Sequence, residues 1–263
     1  MLWLCAMTLC VLQNPDALAR AAAGQFVELA RASILVRARF AVVLSGGSTP
    51  RRMYQYLAAS PLRDRVEWSR VEVFWGDERG VPSDHPDSNY RMAAEALLDH
   101  VPIPRRHIHR IVAERIDRSS AARDYQLEIA RAFDLDGAGP PPSFDLVLLG
   151  MGSDGHTASL FPGDEALREG RRWAVSVEAP QRPPPSRITL TAPILNRARE
   201  IRVLVAGSDK AATLRTVLEG PHEPERRPIQ LVRPEHGRMI WLLDEAAASE
   251  LEPAAVASAG GAG

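Results

Sequence analysis

The chain has 263 residues, 45% apolar and 25% charged, the proportions of an ordinary globular protein long enough for a full hydrophobic core. Its formal net charge is −1, which gives none of the basic excess that nucleic-acid or membrane-surface binding usually needs but leaves room for a local basic pocket that takes a small anion. Two cysteines, Cys5 and Cys10, are too few for a disulfide scaffold, form no CxxC pair and lie far from any histidine-rich cluster, so no zinc or other metal site is expected.

Residues 1–12 are largely apolar, with no Lys or Arg ahead of them, and the run is too short to span a bilayer. They read as a buried first strand, or in part as an extension ahead of Met7. Residues 16–39 place Leu18, Ala22, Phe26, Leu29 and Ala30 near one face at helical spacing. Residues 40–44 are a short apolar run predicted as a strand. It stops at Ser45-Gly46-Gly47-Ser48-Thr49-Pro50, after which Met53, Tyr54 and Leu57 resume helical spacing. Residues 71–75 predict a second strand, followed by the polar stretch Gly76-Asp77-Glu78-Arg79. Residues 89–100 and 121–133 carry helical patterns, and Pro140-Pro141-Pro142 marks a surface loop. Residues 144–149 predict a third strand, ending in Gly150-Met151-Gly152-Ser153-Asp154-Gly155-His156. Strands are then expected at 187–190, 201–206 and 239–243, with helices at 209–218 and 244–251. The small-residue tail 257–263 is expected to be disordered, which leaves residues 1–256 as one domain.

Strands alternating with helices predict an α/β fold of three layers, a mainly parallel sheet covered by helices on both faces in the Rossmann-like manner. In such folds ligands bind at the carboxyl ends of the strands. Four of those loops, after Leu44, Trp75, Leu149 and Ala206, carry most of the polar residues with chemical potential.

In the first loop, Gly46 and Gly47 bare their backbone N–H groups, Ser48 and Thr49 add hydroxyls, and a helix N-terminus follows. Together these can cradle a phosphate. An ordinary tight turn has the same look. The pattern lacks the Walker lysine and the glycine spacing of dinucleotide sites, so no nucleotide is indicated. In the second loop, Arg79 can fork onto phosphate or carboxylate oxygens, with Asp77 and Glu78 orienting it or a histidine, unless the triplet is a solvated charged loop. In the third, His156 sits just past a strand end in a glycine-rich turn, where an imidazole can take a proton from water and return it to a leaving group. Asp154 either fixes its tautomer or shapes the turn. Ser153 completes no triad, because the run is not the G-x-S-x-G elbow and three members within four residues rarely reach that geometry. Arg187 and Lys210 either face an anion at strand ends or are solvated cations. The remaining histidines lie in polar stretches, and His107 and His109, an i, i+2 pair without a third ligand nearby, read as surface residues.

Five blocks resemble the 6-phosphogluconolactonases: LSGGSTP (44–50), WGDERGVP (75–82) with SNY (88–90), GMGSDGHTASLFPG (150–163), PPPSRITLTAPILNRA (183–198) and GSDKAATL (207–214). The terminal MIWLLDEAAA (239–248) is also similar. The resemblance implies a fold shared with glucosamine-6-phosphate deaminases and related to ribose-5-phosphate isomerases. It implies cofactor-free, metal-free hydrolysis of 6-phospho-D-glucono-1,5-lactone in the oxidative pentose phosphate pathway. His156 is the implied base, with Asp154 beside it. Arg79 and Lys210 are the implied substrate anchors, Gly46, Gly47, Ser48, Thr49, Asp77, Asn89 and Arg187 are expected as further substrate contacts, and amides of the glycine turn are expected to stabilise the oxyanion. A cytoplasmic monomer or weak homo-oligomer, with no nucleic-acid or membrane partner, is expected. The nearest alternative is a deaminase or isomerase of the same fold, whose block resembles DGHIAFNEP. Its Asn-Glu pair is missing from Ser159-Leu160-Phe161-Pro162. A sugar-phosphate sensor is the other.

Overall fold

The structure is a computed structural model that describes residues 7–179 and 183–252. Cys5, the first six residues of the expected opening strand and the tail 257–263 lie outside the described residues. Strand β1 (Met7–Leu12) leads into α1 (Pro15–Arg37). The Asn14 side chain caps α1 by accepting from the backbone N–H groups of Asp16 and Ala17, and proline fills the first turn, where its missing N–H costs nothing. Leu18, Ala22, Phe26 and Ala30 are buried, as their spacing predicts. Full burial of each large side chain contributes about 1.5–3 kcal/mol. The helix ends at Ala38, which takes the left-handed conformation at φ 57°.

Strand β2 (Phe40–Leu44) is buried throughout and feeds α2 (Ser48–Ala58). β3 (Val71–Trp75) and the three-residue β4 (Asp77–Arg79) precede α3 (Asn89–Ala96). α3 is shorter than the expected 89–100. It stops at Leu97, and residues 98–100 form a separate 3₁₀ turn. α4 (Arg118–Ala132) leads to β5 (Leu146–Gly150), and then follow β6 (Ala174–Glu178), β7 (Ser186–Leu190) and α5 (Ala192–Asn196). β8 (Glu200–Val205), α6 (Ala211–Glu219), β9 (Arg238–Asp244) and α7 (Glu245–Ala248) complete the described chain.

Six strands form one sheet in the order β1-β9-β8-β5-β2-β3, every pair parallel. Three-layer α/β architecture is therefore the fold, as the alternation of elements predicts. The chain leaves β2 outward to β3, but leaves β5 in the other direction, to β8 and then β9. The crevice between β2 and β5 is thus the topological switch point, where loops part and ligands bind. The β2–β5 ladder registers Val42 opposite Leu146 and Val43 opposite Val147, which leaves the strand ends to diverge.

The strand expected at 187–190 is present as β7, and it lies outside the parallel sheet. β4, β7 and β6 make a separate antiparallel sheet, with Asp77 opposite Thr189 and Arg79 opposite Arg187. Gly76 joins the two sheets, donating to Leu44 O at 3.0 Å and accepting from Leu190 N at 2.8 Å. The triplet 77–79 is accordingly a strand and not a solvated loop. Two of its residues, Asp77 and Glu78, are buried.

Candidate active site

The loop after β2 turns into α2 at Gly47, whose φ of +108° is a backbone state that L side chains rarely adopt. No side chain caps α2 among the described residues, so its first N–H groups face the crevice with the helix dipole behind them. A Cβ on Gly46 would lie 2.0 Å from the Asn89 Oδ1, so only glycine lets α3 approach this closely. Tyr54, fully buried on α2, holds the start of the loop: its hydroxyl donates to Ser45 O at 2.8 Å and accepts from Ser45 N at 3.0 Å. Burial pushes the Tyr54 hydroxyl's pKa up and keeps that donor protonated.

The loop after β5 closes a tight turn. Gly152 N donates to His156 O at 2.8 Å and Gly155 N to Gly152 O at 3.0 Å. Both amides are therefore engaged within the turn, which removes them as donors to a developing oxyanion. A Cβ on Gly152 would lie 2.0 Å from His156 Nδ1, so the imidazole folds back over a bare Cα. Asp154 does both things the sequence leaves open. Its Oδ1 accepts from His156 N at 3.2 Å and stands 2.6 Å from His156 Nδ1. With Nδ1 as the donor, the lone pair lies on Nε2. The Phe161 ring packs against the imidazole, centroids 5.0 Å apart. From outside, Thr213 donates to Ser153 O at 2.6 Å and Ile229 N to Gly155 O at 2.9 Å. Ala158 lies two residues beyond His156 with φ 47°, a strained value for alanine.

Arg79 reaches the same crevice from β4. Its Nη1 donates to Asp87 O at 2.7 Å, while its buried Nε has no hydrogen-bond partner among the described residues. Lys210 enters from the turn after β8, its Nζ 2.9 Å from Asp209, whose carboxyl is held below its ordinary value by that hydrogen bond. Glu78 points away. It accepts from the N–H groups of Arg79, Asn89 and Tyr90 and from Ser88 Oγ, so it anchors the start of α3. Burial raises the Glu78 carboxyl above its ordinary value in spite of these donors.

A cavity of about 260 Å³ lies at the switch point. Gly46, Gly47, Ser48, Thr49, Asp77, Arg79, His156 and Lys210 all line it, together with Thr157, Ala158 and the β8 end at Leu204–Ala206. Three expected site residues are not among its lining. Asp154 stands behind His156. Asn89 is buried against Gly46, with its Nδ2 3.0 Å from Asp77 O. Arg187 is buried beside Arg79 on β7, its guanidinium 6.0 Å from the Phe161 ring centroid. Tyr54 and Ser159 went unseen in the sequence as site residues, since their spacing announces only helix core and loop. Among the described residues no group of three or more His, Cys, Asp or Glu side chains could hold a metal ion, and no helix is long and apolar enough to cross a membrane.

A family model described as glucosamine-6-phosphate isomerases/6-phosphogluconolactonase matches residues 13–241. The chain belongs to that family. Within it, the 6-phosphogluconolactonase of Synechocystis sp. is 42% identical over 221 residues, covering 84% of this chain and 88% of that protein. The 6-phosphogluconolactonase of Streptomyces coelicolor is 39% identical, covering 92% and 94%. Among solved structures, the 6-phosphogluconolactonase from Trypanosoma cruzi superposes with a TM-score of 0.81 at 32% identity, covering 93% of this chain and 96% of that one. A monomeric glucosamine-6-phosphate deaminase, at 21% identity and a TM-score of 0.76, shares the fold.

Proposed function

We propose that this chain is a 6-phosphogluconolactonase, hydrolysing 6-phospho-D-glucono-1,5-lactone to 6-phosphogluconate in the oxidative pentose phosphate pathway. The observation that carries the reading is the 2.6 Å contact of His156 Nδ1 with Asp154, in a cavity shared with the uncapped N-terminus of α2. The two relatives at 42% and 39% identity, both named for this activity, support it.

The substrate phosphate rests on the Gly46–Thr49 backbone and hydroxyls, with Arg79 and Lys210 supplying positive charge. This tether places the lactone carbonyl near His156. Nε2 takes a proton from water as the water oxygen bonds to C1. The tetrahedral oxyanion collapses, the bond from C1 to the ring oxygen breaks, and the imidazolium returns its proton to that oxygen. Asp154 holds the ring in the tautomer that leaves Nε2 basic and stabilises the imidazolium. The block of a deaminase of this fold carries an Asn-Glu pair where this chain has Leu160-Phe161, and Phe161 packs against the imidazole there, which favours the lactonase.

Hydrolysis of freshly prepared 6-phosphogluconolactone, with the spontaneous rate subtracted, tests the reading. Wild type should accelerate it, and His156→Ala should lower kcat on the order of 100- to 10,000-fold with KM little changed. Equal turnover by His156→Ala would remove His156 as the base.

A further inference from the structure

The described part of the cavity holds one feature that anion binding does not explain. Asp77 lines it, although a carboxylate beside a phosphate repels the ligand. Both oxygens of Asp77 accept from neutral side chains on other elements. Ser159 Oγ donates to Oδ2 at 2.6 Å, and Asn89 Nδ2 donates to Oδ1 at 3.2 Å and to Asp77 O at 3.0 Å. Ser159 is fully buried and stands three residues after His156. Its own N–H donates to Thr189 Oγ1 at 3.2 Å, opposite Asp77 on β7. Asn89 in turn fills the space where a side chain on Gly46 would be. A chain of hydrogen bonds therefore runs from Ser159 in the His156 loop through Asp77 to Asn89, and close packing of Asn89 on Gly46 carries the connection to the loop after β2.

We infer that Ser159 is a positioning residue that, through Asp77 and Asn89, sets the spacing between the phosphate-binding loop and His156. The inference rests on the lactonase reading. A tethered lactone has its carbonyl placed relative to its phosphate by covalent bonds, so the enzyme must match that distance between two separate loops. Those loops follow β2 and β5, whose ladder ends before the strand ends do, so the sheet alone does not fix their separation. Two hydrogen bonds to a single carboxylate do. A displacement of about 1 Å at the reacting atoms is worth up to about a hundredfold in rate, while the proposed phosphate contacts of Gly46–Thr49, Arg79 and Lys210, to which Ser159 makes no hydrogen bond among the described residues, are kept.

Ser159→Ala tests this in the full chain. The kcat on 6-phosphogluconolactone should fall about tenfold or more, while KM and the inhibition constant of inorganic phosphate stay within about twofold. Thermal melting, run alongside, reports the structural cost separately. A kcat unchanged within about twofold overturns the inference even if the melting temperature drops. A rise in KM and in the phosphate inhibition constant with kcat kept also overturns it, because Ser159 would then act on the anion loop itself. Should Ser159→Ala fail to fold, Asn89→Ala, which cuts the same chain at its other end, is judged by the same criteria. Wild type without lactonase activity would instead overturn the reading on which the inference stands.

Discussion

In the proposed reaction His156 and Arg79 divide the site between chemistry and anchoring, and substitutions should separate the two. His156 has its Nδ1 fixed by Asp154, so removing the ring removes the proton acceptor while the phosphate contacts survive. Arg79 offers the reverse case. Its Nη1 is held by Asp87 O, which fixes the guanidinium at the cavity where the proposed phosphate rests. Arg79→Ala should raise KM about 10- to 100-fold, the equivalent of one charge-assisted hydrogen bond of about 1.5–3 kcal/mol, with a smaller change in kcat. Steady-state kinetics on the phosphorylated lactone checks this, and an unchanged KM would point to Lys210 as the main anchor. Both residues could be singled out in the sequence, because each lies in a polar stretch that follows a predicted strand. The engagement of the Gly152 and Gly155 amides could not, because it depends on how the turn closes.

At the level of elements, two buried tyrosines brace neighbouring strand ends in the same way. Tyr54 on α2 bridges the N–H and C=O of Ser45, just past β2. Tyr125 on α4 bridges the N–H and C=O of Trp75, the last residue of β3. Each hydroxyl satisfies a donor and an acceptor that the diverging loops leave without ladder partners. Tyr54→Phe should therefore cost about 1–3 kcal/mol in urea unfolding and raise KM more than it lowers kcat, since the loop it braces is the proposed phosphate site. A mutant with native KM would confine Tyr54 to the core. Helical spacing in the sequence placed Tyr54 on α2 but not its hydroxyl's target. The elements that the sequence missed are short and depend on partners: β4 has three residues, α5 has five, and β6 is a strand only because β7 lies beside it.

Across the whole molecule, α4 is also stapled to β3 through His109. Its Nε2 lies 2.7 Å from Glu72 and its Nδ1 2.8 Å from Glu128, and its ring stacks on Phe74 with centroids 4.5 Å apart. His107 approaches Glu72 at 3.5 Å, and Arg131 pairs with Glu128 at 3.2 Å. Burial alone would lower the His109 pKa, but the hydrogen bonds and charges of Glu72 and Glu128 outweigh it and raise the pKa above the ordinary 6.5. Both ring nitrogens can donate only in the imidazolium. A group whose native pKa is raised stabilises fully below its unfolded value and loses that contribution as the pH climbs through the native one. The urea midpoint should therefore fall as pH rises above 6.5, and His109→Phe should flatten that slope. An unaltered slope in the mutant would assign the pH dependence to other groups. The i, i+2 spacing of His107 and His109 suggested surface residues. The structure buries His109, because its two carboxylate partners come from positions 37 and 19 residues away.

The sequence by itself determined the α/β class, the order of the strands and helices that make up the main sheet, and the loops at which polar residues gather. Those features are written in local periodicity and in glycine, which act over a few residues. Only the tertiary structure decided that 77–79 and 186–190 leave the main sheet for a second, antiparallel one. Only it decided that Asn89 and Arg187 stand behind the cavity while Asp77 lines it. Ser159 meets Asp77 across 82 residues of chain. Contacts of that reach follow from how the layers close on one another, and no run of neighbouring side chains encodes them.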